Sequence, residues 1–132
     1  TATEQFEKVL GQDPKNVVAL NNLAWMYSKR NDPRALDYAK SASDLSPDSP
    51  GVKDTYGWVL VQNGKAAEGL LLLEQAAKEL KDVPEVIYHV AVAKFRLGKR
   101  DEAKLMLGTL VSSGKEFEGK KDAEKVLAEL TK

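Results

Sequence analysis

His89 is the only histidine in the chain, and there is no cysteine. Thiol nucleophiles, disulfides and thiolate metal sites are therefore absent by composition. A catalytic triad or a zinc site would have to be built around one imidazole, and a lone histidine is more often structural than catalytic. Asn63-Gly64-Lys65 lacks the upstream glycine and the following Ser/Thr of a phosphate loop. No carboxylate pair stands out as an acid/base couple. These residues point to a protein that is not an enzyme, with no metal site and no cofactor.

The remaining chemistry is recognition. Trp25 and Trp58 lie 33 residues apart, each preceded by polar pairs, Asn21-Asn22 and Asp54-Thr55. Flat aromatic surface beside amides and hydroxyls is the composition of interface hot spots. The opposing reading is equally open: both indoles could pack between neighbouring helices as core. His89 stands 34 residues after Thr55 and 35 after Asp54, so it could hydrogen-bond either from the next helix. The 20 basic and 20 acidic residues cancel, which argues against nucleic acid or an anionic membrane as partner. Apolar runs such as Leu70 to Leu73 are far too short to insert in a membrane. The mixed charges from Lys115 to Lys125 read as a solvated face with i,i+4 pairs.

The elements that position these residues follow from a repeat running through the chain. Gly57 and Gly64 recur 34 residues later as Ala91 and Gly98; Gly69, Leu73 and Ala76 recur as Ala103, Leu107 and Leu110. Backwards the period is 33, taking Trp58 to Trp25 and Gly57 to Ala24, with one residue missing from the turn at Arg30 to Pro33. Such periods mark stacked supersecondary units. Apolar residues at 3.6-residue spacing, such as Leu20, Leu23, Ala24 and Tyr27, predict two helices per unit. The punctuation agrees. Asp32-Pro33 and Ser49-Pro50 pair a capping side chain with proline at the first helical position, and Asn63-Gly64 and Leu97-Gly98 end helices on a residue free to turn left-handed. The expected helices are 1–11, 16–30, 33–45, 50–62, 65–80, 84–97, 99–112 and 120–131. Small residues at Ala24, Gly57 and Ala91, and at Ala39, Ala42 and Ala76, allow close approach of helix axes.

At these positions the chain resembles the tetratricopeptide repeat family. The matching residues are Leu23-Ala24, Tyr27, Ala35, Ala39, Ala42 and Pro47 in one unit, Tyr56-Gly57, Leu60, Gly69, Leu73 and Ala76 in the next, and Val90-Ala91, Ala103, Leu107 and Leu110 in the third. Lys81 and Lys115 depart from it, standing where the motif has proline. The resemblance implies an all-α fold, a right-handed α-α superhelix of antiparallel hairpins. It divides the chain, as one domain, into a half repeat at 1–14, repeats at 15–48, 49–82 and 83–114, and a C-terminal capping helix at 120–131. The opening on Thr1 in mid-pattern suggests a piece of a longer protein. On that reading the first helix lacks a partner, leaving the face of Phe6, Val9 and Leu10 partly bare and open to self-association.

The resemblance further implies that the first helix of each unit lines a concave groove. Carried over by position, that groove face holds Asn21, Asn22, Trp25, Ser28 and Lys29, then Asp54, Thr55, Trp58, Val61 and Gln62, then Tyr88, His89, Val92, Phe95 and Arg96. The Lys/Asn clamp by which chaperone-binding members hold a C-terminal carboxylate is not reproduced, since Asn21 and Trp25 occupy its positions and Asp54 adds negative charge. The expected function is a non-catalytic scaffold that binds an apolar or aromatic segment of a protein or peptide in this groove. The alternative is a self-assembling or structural end-module of a longer repeat protein. The runs Asn21 to Trp25, Asp54 to Trp58 and Pro84 to Ala91 also look like the last repeats of long bacterial tetratricopeptide proteins, one group being the repeat lipoprotein that accompanies PEP-CTERM sorting and exopolysaccharide production. That likeness implies a periplasmic or outer-membrane-attached parent; without it the expected compartment is cytoplasmic.

Overall fold

Each expected helix forms, and the start and stop signals account for several of the ends. The structure, a computed structural model, describes residues 1–132. It contains α1 (Ala2–Gln12), α2 (Val17–Lys29), α3 (Arg34–Leu45), α4 (Pro50–Gln62), α5 (Ala66–Glu79), α6 (Pro84–Arg96), α7 (Arg100–Ser112) and α8 (Lys120–Leu130), with no strand. None is long and apolar enough to cross a membrane. Thr1 and Glu4 form a capping box on α1. Asn16 and Ser49 cap α2 and α4 by accepting backbone N–H bonds from Ala19 and Val52. Pro50 and Pro84 stand in the first turns of α4 and α6.

One boundary differs from expectation. Pro33 precedes α3 as its N-cap instead of opening the helix, although its φ of −62° and ψ of −18° are already helical; the Asp32 side chain reaches only two residues on, where Asn16 and Ser49 reach three. The Asp32 carboxylate accepts the Arg34 backbone N–H at 2.9 Å and also pairs with the Arg34 guanidinium at 2.8 Å. These bonds hold the Asp32 carboxyl down at about 2.

Helices α2, α4 and α6 end alike. Asn31, Gly64 and Gly98 take φ of 55°, 80° and 82°, and the next N–H returns to a carbonyl five residues back: Asp32 to Tyr27, Lys65 to Leu60, Lys99 to Lys94. This is a Schellman closure repeated once per unit. The reversal it makes stacks α2 on α3, α4 on α5 and α6 on α7 as hairpins, and each hairpin packs on the next.

Small residues set how closely the hairpins close. Ala24 faces Ala35 in the first, and Ala91 faces Ala103 in the third; all are buried. The middle hairpin uses two glycines. A Cβ on Gly69 would lie 2.5 Å from the Gly57 carbonyl oxygen, and one on Gly57 would lie 2.9 Å from that of Gly69. Leu23, Tyr27, Leu73 and Leu107 fill the space these approaches leave. The face of α1 is less bare than the sequence implies. Phe6 and Leu10 pack on the cluster around Leu23 and Tyr27, leaving Val9 37% exposed. The Tyr27 hydroxyl donates to Glu7 on α1, and its ring stacks on Tyr38.

Candidate functional site

The inner face is built by α2, α4, α6 and α8, whose residues stand in columns set by the period. Trp25, Trp58, Val92 and Val126 form one column, with Asn21, Asp54, Tyr88 and Asp122 one turn earlier and Lys29, Gln62 and Arg96 one turn later. A cleft of about 510 Å³ opens there. Of the residues expected in a groove, Trp25, Ser28, Lys29, Trp58, Gln62, Tyr88, Val92 and Arg96 line it.

The others stand elsewhere. Asn22 donates back to the Val18 carbonyl at 2.8 Å, and Thr55 to that of Gly51 at 3.1 Å, so both are turned onto their own helices. Val61 is fully buried under Gly69, and Phe95 packs into the core with Arg100 over its ring; period carries these two to the hairpin side of their helices. Asn21, Asp54 and His89 lie behind the cleft wall. The Asn21 Oδ1 is buried without a hydrogen-bond partner.

His89 is the centre of that wall. It is fully buried, with its ring stacked on Trp58 (4.3 Å between centroids, 19° between planes) and Trp25 tilted against it at 5.6 Å. Of the two partners the sequence offered, the structure selects Asp54: Nδ1 lies 2.8 Å from the Asp54 carboxylate. Nε2 lies 3.6 Å from Glu85, at ion-pair range. Burial opposes a charge on the ring, but the hydrogen bond to Asp54 and the nearby Glu85 carboxylate outweigh it and raise the histidine above its ordinary value, while Nε2 itself makes no hydrogen bond. Glu85 in turn accepts the Gly119 N–H at 3.0 Å. Its burial disfavours the carboxylate, yet His89 and that N–H hold it below the usual range. The chain Asp54–His89–Glu85–Gly119 thus ties α4, α6 and the start of α8 through one buried imidazole.

A second linkage joins the units at their helix ends. The Gln62 amide donates to the Ser28 carbonyl at 3.2 Å, and Arg96 to the Val61 carbonyl at 3.0 Å. Each side chain adds a second donor to a carbonyl near the end of the preceding inner helix, which also accepts the N–H of Asn31 or Gly64 from its own turn. The next member of the column is Leu130, which cannot donate, so the series stops at α8.

The cleft also contains Asn31, Glu85, Glu118, Gly119, Asp122 and Val126, none of them anticipated. A stretch read as a solvated face is solvated in part, with Lys120 pairing Glu116, while Glu118 and Asp122 close the cleft's far side. The signal was present. The 34-residue offset carries Glu85, Tyr88 and Val92 to Gly119, Asp122 and Val126, which makes α8 the inner helix of a further unit. Lys29 spans the mouth, 3.1 Å from Glu118 and 5.9 Å from the Trp25 ring centroid.

No model of a known protein family matches the chain. A TPR repeat-containing protein of Pseudomonas aeruginosa is 33% identical over 92 residues, which are 65% of this chain and 15% of that protein. Among solved structures, PilW, described as a widely conserved type IV pilus biogenesis factor, superposes with a TM-score of 0.73 at 22% identity over 87% of this chain and 54% of its own. A thermophilic TPR protein of Thermus thermophilus gives 0.70 at 20% over 98% and 71%. The first TPR domain of human RPAP3 gives 0.70 at 18% over 89% and 91%.

Proposed function

We propose that this chain, folded as an array of tetratricopeptide-type helical hairpins, is a non-catalytic interaction scaffold whose inner cleft holds an extended or helical segment of another protein. The observation that carries this is the cleft's lining. It crosses three repeats and α8, presents the half-buried Trp25 beside the amides of Asn31 and Gln62, and is walled by the nearly buried Trp58 and Tyr88. Aromatic anchors in a concave, partly desolvated site with adaptable polar neighbours are what protein interfaces use for affinity. The resemblance to bacterial repeat lipoproteins supports placing the parent protein in the periplasm or at the outer membrane.

The test is capture of partners from a lysate of the source organism by this domain and by its Trp25→Ala variant. Trp25 is the better target because Trp58, 9% exposed, also carries the core. A protein retained by the parent domain, lost by a variant with unchanged circular dichroism, and eluted by a peptide from that protein supports the reading. A partner retained equally by both defeats it. A second reading, self-association, is favoured by the outer apolar residues Val9 and Val18, the latter 67% exposed. Sedimentation equilibrium across a wide concentration range tests it, and a constant monomer mass removes it.

A further inference from the structure

We propose that the segment taken by the cleft carries a lysine or arginine side chain, seated on Trp25 and held by Asp122 and Glu118. This rests on the groove reading above and names the chemistry of its occupant. The arrangement is already present in cis. The Lys29 ammonium lies 5.9 Å from the Trp25 ring centroid and 3.1 Å from the Glu118 carboxylate, the geometry of a cation on an aromatic face with an acidic neighbour. Lys29 closes the end of α2 onto the loop before α8, 89 residues away in sequence. Both side chains of that pair are about half exposed, so the contact is worth little on its own and is open to exchange with a competing cation.

The charge inventory gives the sign. Two cations line the cleft. Arg96 is engaged by the Val61 carbonyl, and Lys29 by Glu118. Three carboxylates line it. Glu85 is taken by His89 and the Gly119 N–H, and Glu118 by Lys29, while Asp122 has neither an ion-pair nor a hydrogen-bond partner. The Tyr88 phenol registers the resulting field. It is pushed up to about 12, by burial first and then by Asp122 and Glu85. A basic side chain entering here neutralises Asp122, competes with Lys29 for Glu118, and lays its alkyl or guanidinium surface on Trp25. An acidic one would add a fourth negative charge to the same space.

The test uses four capped synthetic hexapeptides, identical except for one central position occupied by Lys, Arg, Gln or Glu beside a phenylalanine. Binding to the whole chain is followed through the indole N–H resonances of Trp25 and Trp58. The expected result is Lys and Arg peptides binding about tenfold or more tighter than the Glu peptide, with the gap shrinking in high salt. Asp122→Asn and Glu118→Gln narrow the gap. Lys29→Gln, which frees Glu118 and removes the competing cation, tightens the basic peptides. A Glu peptide that binds best, or a Lys29→Gln variant that weakens the basic peptides, overturns the inference. Equal binding of all four leaves the groove reading standing and this inference fallen. If none shifts either indole at millimolar concentration, both fall together.

Discussion

Trp25 and Trp58 occupy equivalent places in adjacent repeats, yet they carry different loads. Trp58 stacks on His89 and belongs to the largest core cluster, whereas Trp25 packs on that cluster's edge and lines the cleft. Trp58→Ala is therefore expected to cost about 3 kcal/mol of stability, as removal of a buried indole does, and Trp25→Ala clearly less, both read from urea unfolding. The glycines separate in the same manner. Gly69→Ala places a methyl 2.5 Å from a backbone oxygen and 2.7 Å from Val61, so the hairpin must open, at about 1–3 kcal/mol. Gly108 sits inside α7 with nothing within 4 Å of a Cβ, and Gly108→Ala should stabilise by about 0.5–1 kcal/mol. Equal effects from the two glycine variants would mean that the close approach of α4 and α5 is not what selects glycine.

Between elements, the buried His89 makes the joint of α4, α6 and α8 depend on pH. Its pKa is raised by folding, so its contribution is fully present below about 6.5, the value in an unfolded chain, and is lost as pH rises through the folded value. Glu85 is lowered by folding, so its contribution is present above the ordinary carboxylate value, about 4.3, and is lost as pH falls through the folded one. The joint is strongest between about pH 4.3 and about pH 6.5 and weakens on the alkaline side. The groups facing the ring are Asp54 from α4 and Glu85 from its own helix, with the uncharged Trp25 from α2 and Trp58 from α4. Thermal unfolding should show a higher midpoint at pH 6 than at pH 8.5, and His89→Gln should flatten that difference. A wild-type midpoint that does not fall on the alkaline side would show that the imidazole is neutral throughout.

The whole molecule is a line of units in which each touches its neighbours and little else, so disturbance should stay local. Gly119 is the place to ask. A Cβ there would stand 2.7 Å from the Tyr88 ring and 3.0 Å from the Glu85 carboxylate, so Gly119→Ala should lift the start of α8 from α6. Amide exchange is expected to quicken across α8 and at the start of α6 while α2 and α3 keep their protection. A uniform rise over all helices would instead mean that the array opens as one cooperative body. The exposed leucines Leu71 and Leu105, 63% and 72% open, fall at equivalent points of α5 and α7 and mark the outer face of this line.

Helix number, helix ends and the close contacts between hairpins were legible in the sequence, because they depend on local chemistry and a fixed period. Asn63-Gly64 and Leu97-Gly98 announce left-handed turns wherever they occur, and Ala24, Gly57 and Ala91 mark axial crossings by size alone. The absence of cysteine and the single histidine bounded the chemistry in the same way. What lines the cleft could be read only in part. A helix face is about a third of a turn wide, and residues one step apart in sequence, such as Phe95 and Arg96, part company between core and cleft. The choice of Asp54 over Thr55 as the partner of His89 needed the actual separation of α4 and α6. The ion pair of Lys29 with Glu118 needed the superhelix to bring together residues that no period relates. Local propensity and repeat length determined the units; the curvature of their stacking decided which side chains meet across it.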